Sequence, residues 1–321
     1  MGARSDNTNR KGPRSQSDNR LLNGHAANFF NSNLNAGSIG PNAAAYTSTG
    51  GTELEIAGYK YHIFLGTVDS SNPAPFTIGN GPAPVEFILI GGGGGGGGGV
   101  VHGPDKDFTM GEYTIVVGEG GTGTSSPNSA GGTGEDSTIA GHPEGTITAQ
   151  GGGGGGGWSP NPAVALGKNG GSGGGGGGYT NPETGGEGTQ PGQNPSIPGL
   201  NNYGSDGGGP NPPGGPTTKG GGGGGAGGAG GDGTKGAGQP FSNFPGPGLA
   251  PALPGPIGPA WATLAGTGGY FGYGGEGKED TGPTAPTSYP DCNGHGADGG
   301  GNPNAGNTGS TGICIIRVQK G

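Results

Sequence analysis

The chain has 321 residues, 92 of them Gly and 30 Pro, with only 26% hydrophobic and 11% charged. So few apolar side chains exclude a large conventional core, and this much Gly and Pro without a strict period usually marks a low-complexity segment. A net charge of −9 argues against nucleic acid as the main partner.

Charge is unevenly spread. Residues 1–20 hold Arg4, Arg10, Lys11, Arg14 and Arg20 against Asp6 and Asp18, so the body is more acidic than the whole. The chain then turns Asn- and Ala-rich, with Leu21, Leu22, Phe29, Phe30 and Leu34 spaced as in a docking peptide rather than a domain. Residues 1–50 are expected to be an anchoring or assembly arm, the alternative being a solvated tail. No apolar run reaches the roughly 18 residues of a membrane span. The start, Met1 to Asp6, lacks the hydrophobic stretch of a secretion signal.

Residues 51–150 read as a β-rich scaffold. Glu53–Ile56 and Tyr59–Leu65 alternate with period two around the turn-like Ala57-Gly58. Phe76–Ile78, Val85–Ile90, Val100–Val101, Tyr113–Val117 and Thr146–Ala149 follow as short strands between Gly/Pro turns. This pattern predicts a small antiparallel sandwich or roll. No segment carries a capped apolar stripe of period 3.6, so almost no helix is expected.

Residues 151–311 form a glycine-rich region with Pro- and Asn-rich inserts, and 312–321 close the chain with the strand-like Ile313–Val318. That final strand has one sensible use, which is to return and pair with the scaffold. The uninterrupted runs Gly91–Gly99, Gly151–Gly157, Gly173–Gly178 and Gly220–Gly225 are either linkers or packed backbone. In polyproline-II-like geometry, at about 3.1 Å per residue, nine glycines span about 28 Å, seven about 22 Å and six about 19 Å. Such rods leave every N–H and C=O free to bond laterally, and only Gly lets them approach closely enough. The all-β expectation is therefore a sandwich plus a polyglycine-II rod bundle, with Gly91, Gly94, Gly99, Gly151, Gly154, Gly173 and Gly220 inside rods.

Chemistry is sparse. The five histidines have no metal-ligand spacing, and Asp291-Cys292-Asn293-Gly294-His295 lacks the orienting third group of a nucleophile. Gly167-Lys168-Asn169 fits no phosphate loop. The chain is expected to be no enzyme and to take no cofactor or metal. Cys292 and Cys314 leave two alternatives, one bridge or two unpaired thiols. Trp158, Tyr179, Tyr203, Trp261 and Tyr289 lie in or beside the inserts. Such rings suit binding of a glycan or protein surface, and equally suit capping of the rod bundle. The inserts 158–169, 179–203, 240–265 and 279–298 are the candidate display loops.

The serial order of these parts resembles the glycine-rich domain common in bacteriophage tail fibres and related virion proteins. The matching pieces are Val85–Ile90 running into Gly91–Gly99, Tyr113–Val117 before Gly118-Glu119-Gly120-Gly121, and Gly134–Ser137. Thr146–Gln150 before Gly151–Gly157, Gly170–Gly173, and Gly309-Ser310-Thr311-Gly312 leading into Ile313–Val318 complete the match. A looser similarity is to distal tail-fibre adhesins of T-even-like phages, in which polyglycine rods display host-recognition loops. The resemblance implies a non-enzymatic virion-surface fibre, made in a host cytoplasm without a signal peptide and attached through residues 1–50 to other virion proteins. Its outward partner would be a host-surface glycan or protein, and it could be a homo-oligomer. The alternative is a self-assembling filament or coat subunit whose residues 1–50 engage the next copy.

Overall fold

Two antiparallel sheets are laid down before and after the first glycine run. The strands are β1 (Thr47–Thr49), β2 (Thr52–Ile56), β3 (Tyr59–Phe64), β4 (Ala74–Gly79), β5 (Ala83–Ile90), β6 (Val100–Phe108) and β7 (Gly111–Val116). They continue with β8 (Ser137–Ala140), β9 (Ile147–Ala149), β10 (Asn201–Tyr203), β11 (Gln239–Pro240), β12 (Tyr270–Phe271) and β13 (Ile313–Gln319). A computed structural model describes residues 46–56, 58–66, 68–126, 128–178, 184–210, 219–241, 244, 270–277, 294–297 and 306–320. Leu21, Leu22, Phe29, Phe30 and Leu34 lie outside the described residues, as do Tyr179, Trp261, Tyr289 and Cys292.

One sheet has the order β1-β4-β7-β8-β9 and the other β10-β6-β5-β13-β3-β2, while β11 and β12 form a separate pair. The returning strand is central. Cys314 to Gln319 pair with Phe64 to Tyr59 on one side of β13, and Ile313 to Val318 pair with Ile90 to Val85 on the other. Residues 46–320 form one compact unit, nearly all of it β and irregular backbone. Its one α-helical turn among the described residues is α1 (Pro162–Ala165).

Burial explains the two kinds of strand. In the five-stranded sheet Phe76, Ile78, Tyr113, Ile115, Ile139 and Ile147 point inward, with polar or half-exposed residues between them. They meet Phe64, Val85, Phe87, Leu89, Val101, Cys314, Ile316 and Val318 of the larger sheet. The opposite face of that larger sheet is also covered. Tyr61, Ile63, Ile88, Ile90, Val100, Ile313 and Ile315 pack beneath Ala226, Phe241, Phe244 and Phe271. Strands buried on both faces read as continuous apolar runs, which is why Phe87–Ile90 and Ile313–Ile316 do not alternate.

The chain passes between the sheets at Gly50-Gly51, where φ is +127° and +60°. A Cβ at Gly51 would sit 2.7 Å from the Ile63 carbonyl, so the crossing admits only glycine. Strand β6 runs on through Gly103-Pro104-Asp105, longer than Val100–Val101 suggests. Val85 opposes Lys106 and Phe87 opposes Gly103, so Pro104 and Asp105 face the single Glu86 in a bulge. A bulge tolerates proline because the ladder is already interrupted there.

Candidate functional site, a glycine lattice and its turns

Glycine segments leave the ends of β5, β7 and β9 and bond to one another rather than to solvent. Gly92 donates its N–H to the Glu135 carbonyl (2.9 Å), Gly93 to Ser310 (2.8 Å), Gly95 to Gly153 (2.7 Å), Gly97 to Gly224 (2.9 Å) and Gly98 to Gly294 (2.7 Å). One run thus reaches five other stretches of chain. The second run does the same, with Gly152 donating to Gly92 (2.8 Å), Gly153 to Ser172 (2.9 Å) and Gly156 to Gly175 (2.8 Å). Gly173 and Gly176 then reach Ser205 and Gly208, while Gly222 and Gly223 reach Gly231 and Gly275. The glycine runs are packed structure, held by lateral backbone bonds.

Gly91–Gly99 is not one long rod. Gly91 donates to the Gly99 carbonyl (3.0 Å) and Gly94 to that of Gly96 (2.9 Å), so the run folds back at 94–96. It is the tip of the β5–β6 hairpin, whose last strand pair is Ile90 with Val100. Each leg is about four residues, or about 12 Å in extended polyglycine geometry, rather than the single span of about 28 Å that nine glycines in line would give. Composition carries no sign of this, because a turn in polyglycine uses the same residue as the legs.

The fit within the lattice leaves no room for side chains. A Cβ at Gly91 would collide with the Gln150 carbonyl, at Gly94 with Gly152, at Gly151 with Gly134, at Gly154 with Gly131 and at Gly173 with Gly186. At Gly99 it would strike the Gln190 amide. Gly220 differs, since a Cβ there would meet only the Gly176 carbonyl at 3.5 Å, an ordinary contact.

Where the lattice meets solvent, a short polar side chain takes the place of the next segment. Asp136 Oδ1 accepts from Gly151 N–H (2.9 Å), Asn169 Oδ1 from Glu187 N–H (2.8 Å) and Asp206 Oδ1 from Gly188 N–H (2.7 Å). All three are exposed. Sequence reasoning passed over these residues, although single Asp or Asn residues punctuating glycine segments were the available signal.

A buried amide network closes the side where β9 and β10 are the outer strands of the two sheets. Asn194, held at φ +55°, accepts from Thr148 N–H (2.9 Å) and donates to the Thr148 carbonyl and to Asn202 Oδ1 (both 2.9 Å). Gln190 accepts from Gln150 N–H (2.7 Å) and donates to Thr148 and Asn202 (both 3.1 Å). These side chains supply the bonds that a further strand would have made to β9. Asn194→Ala removes two of them together with the bond to Asn202, and is expected to cost about 2–4 kcal/mol, read as a lowered denaturant midpoint.

Among the described residues, two of the turns between segments lie against each other. Residues 158–166 form one turn, and a Cβ at Gly157 would meet Ser129 of the other, where Ser129 N–H donates to the Ser126 carbonyl (3.2 Å). In the 158–166 turn Asn161 caps α1 by accepting from Ala163 N–H (3.1 Å), and Pro162 stands at its start. The turn is tied to the lattice, since Gly157 donates to the Val164 carbonyl (2.8 Å) and Gly177 to that of Ala165 (2.7 Å). Trp158 stands half-buried at its entrance, and Leu166 is exposed.

Tyr203 is elsewhere. It lies on β10, pairs with Val100, and packs edge-on to Phe241 (5.9 Å between centroids) in the cluster on the larger sheet. Phe271 is fully buried in the same cluster, and Tyr273 packs on Tyr270 and His295. The spacing of residues around Tyr203 could not show that a three-residue strand would place it against a sheet.

The titratable groups are structural in their surroundings. Glu86 accepts from Arg317 Nε (2.7 Å) and contacts His102 Nε2 (3.0 Å), while the Arg317 guanidinium lies over the Tyr59 ring (4.4 Å). Burial alone would raise the Glu86 pKa, yet His102 and Arg317 hold it below the usual carboxylate range. His62 is fully buried, with Nδ1 2.8 Å from the Gly50 carbonyl and Nε2 2.8 Å from Ser48 Oγ. That geometry suits a neutral ring with the proton on Nδ1, and burial lowers its pKa. His295, inside the lattice, is pushed down to about 3 by burial and by Lys235. Cys314 is a free thiol between the sheets, its pKa raised by burial. Among the described residues, no group of His, Cys, Asp and Glu could hold a metal ion, and no helix is long and apolar enough to cross a membrane.

No curated protein matches the chain. A family model described as a glycine-rich domain matches residues 71–319, from just before β4 to the end of β13. The match takes in β4 to β13 with the lattice and the returning strand, leaving β1 to β3 before it, and the chain belongs to this glycine-rich domain family.

Proposed function

We propose that the protein is a non-enzymatic fibre or adhesin on a bacteriophage virion, which attaches through residues 1–50 and presents the turns of its lattice to a host-surface glycan or protein. The observation that carries this reading is the 158–166 turn, which has Pro160 to Ala163 exposed and is held on the backbone lattice. The backbone lattice holds this turn through Gly157 and Gly177, which donate to the Val164 and Ala165 carbonyls, while its exposed side chains face solvent. Binding residues commonly sit on loops held by a rigid scaffold. Membership of the glycine-rich domain family is compatible with this role.

The test is adsorption. Replacing 159–164 by a Gly/Ser sequence of equal length should lower adsorption of particles to host cells by about tenfold or more if this turn carries contacts worth about 1.4 kcal/mol or more. The thermal midpoint of the isolated protein should change little. Unchanged adsorption after all lattice turns are replaced in this way would remove the display role, and imaging a labelled chain in the particle would show whether it lies at the surface.

A further inference from the structure

The segment 306–320 belongs to the body almost wholly by non-covalent contacts. Strand β13 sits between β3 and β5 and is hydrogen-bonded on both sides, with Ile313, Cys314, Ile315 and Ile316 fully buried. The residues before it are bound into the lattice. Gly309 donates to the Gly121 carbonyl (2.9 Å), Ser310 to His295 (3.0 Å) and Gly312 to Gly118 (2.9 Å), while the Ser310 carbonyl accepts from Gly93 (2.8 Å). Without this segment, the slot would expose two strand edges and the apolar side chains of Phe87, Leu89, Ile63 and Phe64. None of these contacts depends on which copy of the chain supplies the strand.

We propose that the slot between β3 and β5 also accepts residues 306–320 of a second copy, so that chains interlock by reciprocal exchange of β13. The partner surface is the slot's own complement. Each chain then keeps every bond of its closed form, which makes exchange a low-cost route to a dimer. Which form dominates is set by chain concentration against the effective concentration of the tethered strand. Strand addition of this kind takes affinity from main-chain bonds and specificity from alternate side chains. Here those side chains are Cys314, Ile316 and Val318 toward one core and Ile313, Ile315 and Arg317 toward the other face.

The register supplies the experiment. Cys314 is the Cα partner of Leu89, and both side chains lie in the same core. Antiparallel partners have Cα atoms about 4.5 or 5.5 Å apart, inside the range of a disulfide. Two full-length chains are unfolded together, refolded and oxidised, one carrying Cys292→Ser and the other Cys292→Ser, Cys314→Ser and Leu89→Cys. A disulfide can then join them in native register only when Cys314 of the first chain enters the slot of the second. The expected result is a cross-linked heterodimer whose ratio to monomer rises about tenfold for each tenfold rise in chain concentration.

A single chain carrying Cys292→Ser and Leu89→Cys with Cys314 retained reports on the same site from within. Its internal cross-link shows that the variant folds with β13 in the slot. The proposal is overturned if this chain cross-links internally while the mixed pair gives no heterodimer at any concentration. It is equally overturned if the heterodimer forms but survives Ile315→Asp in the Cys314-bearing chain, since cross-linking would then not need β13 in the slot.

Discussion

Gly154→Val is expected to unfold the protein, whereas Gly220→Ala is expected to be tolerated. At Gly154 any Cβ would collide with the backbone of Gly131 and Gly132, on a segment fixed by the bond from Gly131 N–H to the Gly155 carbonyl (2.8 Å). Backbone cannot move aside as a flexible side chain can. The cost should exceed the about 1–3 kcal/mol of ordinary overpacking and reach about 4 kcal/mol or more. At Gly220 a methyl group meets only the Gly176 carbonyl at 3.5 Å. Alanine there restricts the unfolded chain, which favours the folded state by up to about 1 kcal/mol. Denaturant unfolding of the two variants checks the pair. Equal, small effects would mean that the runs are linkers.

The second large effect is with acid. His62, His142 and His295 all have pKa values below the usual imidazole value, with burial as the leading cause. A histidine whose folded pKa is depressed binds more protons when unfolded. Its contribution is therefore fully present above about pH 6.5 and is lost as pH falls toward the folded value. For His295 that value is about 3, so moving from pH 7.5 to 4.5 should remove about 2–3 kcal/mol through this residue alone. The groups that face it are the Tyr273 ring, 4.9 Å away, and Lys235, whose ammonium lies over the same ring and further opposes protonation. Glu53 and Glu86, held low, add to the loss only nearer the carboxylate range. Denaturant unfolding at the two pH values measures the loss, and His295→Gln should shrink it by about the same 2–3 kcal/mol. A stability that stayed flat between pH 7.5 and 4.5 would mean that the ring reaches water.

What the sequence discloses here follows from what side chains encode. Val85–Ile90 and Ile313–Val318 are legible as strands because apolar residues mark them, and their pairing follows once a lone strand at the end of so much glycine needs a partner. The lattice itself is legible in outline, since glycine runs of similar length enclosed between a scaffold and its returning strand favour packed backbone over linkers. Its path is not, because glycine says nothing about where a run turns, as the fold-back at 94–96 shows. Strand β6 was curtailed by Gly103-Pro104, which ordinarily break a ladder but here occupy a bulge. Asn194 and Gln190 read as loop residues; only the fold reveals that their amides close β9.

The lattice has a thermodynamic consequence. Unfolding an ordinary core raises the heat capacity because hydrating apolar surface contributes about +0.45 cal/K/mol per Å², whereas hydrating polar surface contributes about −0.26. Much of what this protein buries, from Gly91 to Gly99 and from Gly173 to Gly178, is peptide group without side chain. Its heat-capacity change per residue should therefore fall below the usual 12–15 cal/mol/K. A smaller change flattens the curve of stability against temperature, so the fold should lose little on cooling and decline slowly on warming. Calorimetry would show a protein whose persistence across temperature comes from peptide hydrogen bonds more than from water's avoidance of oil.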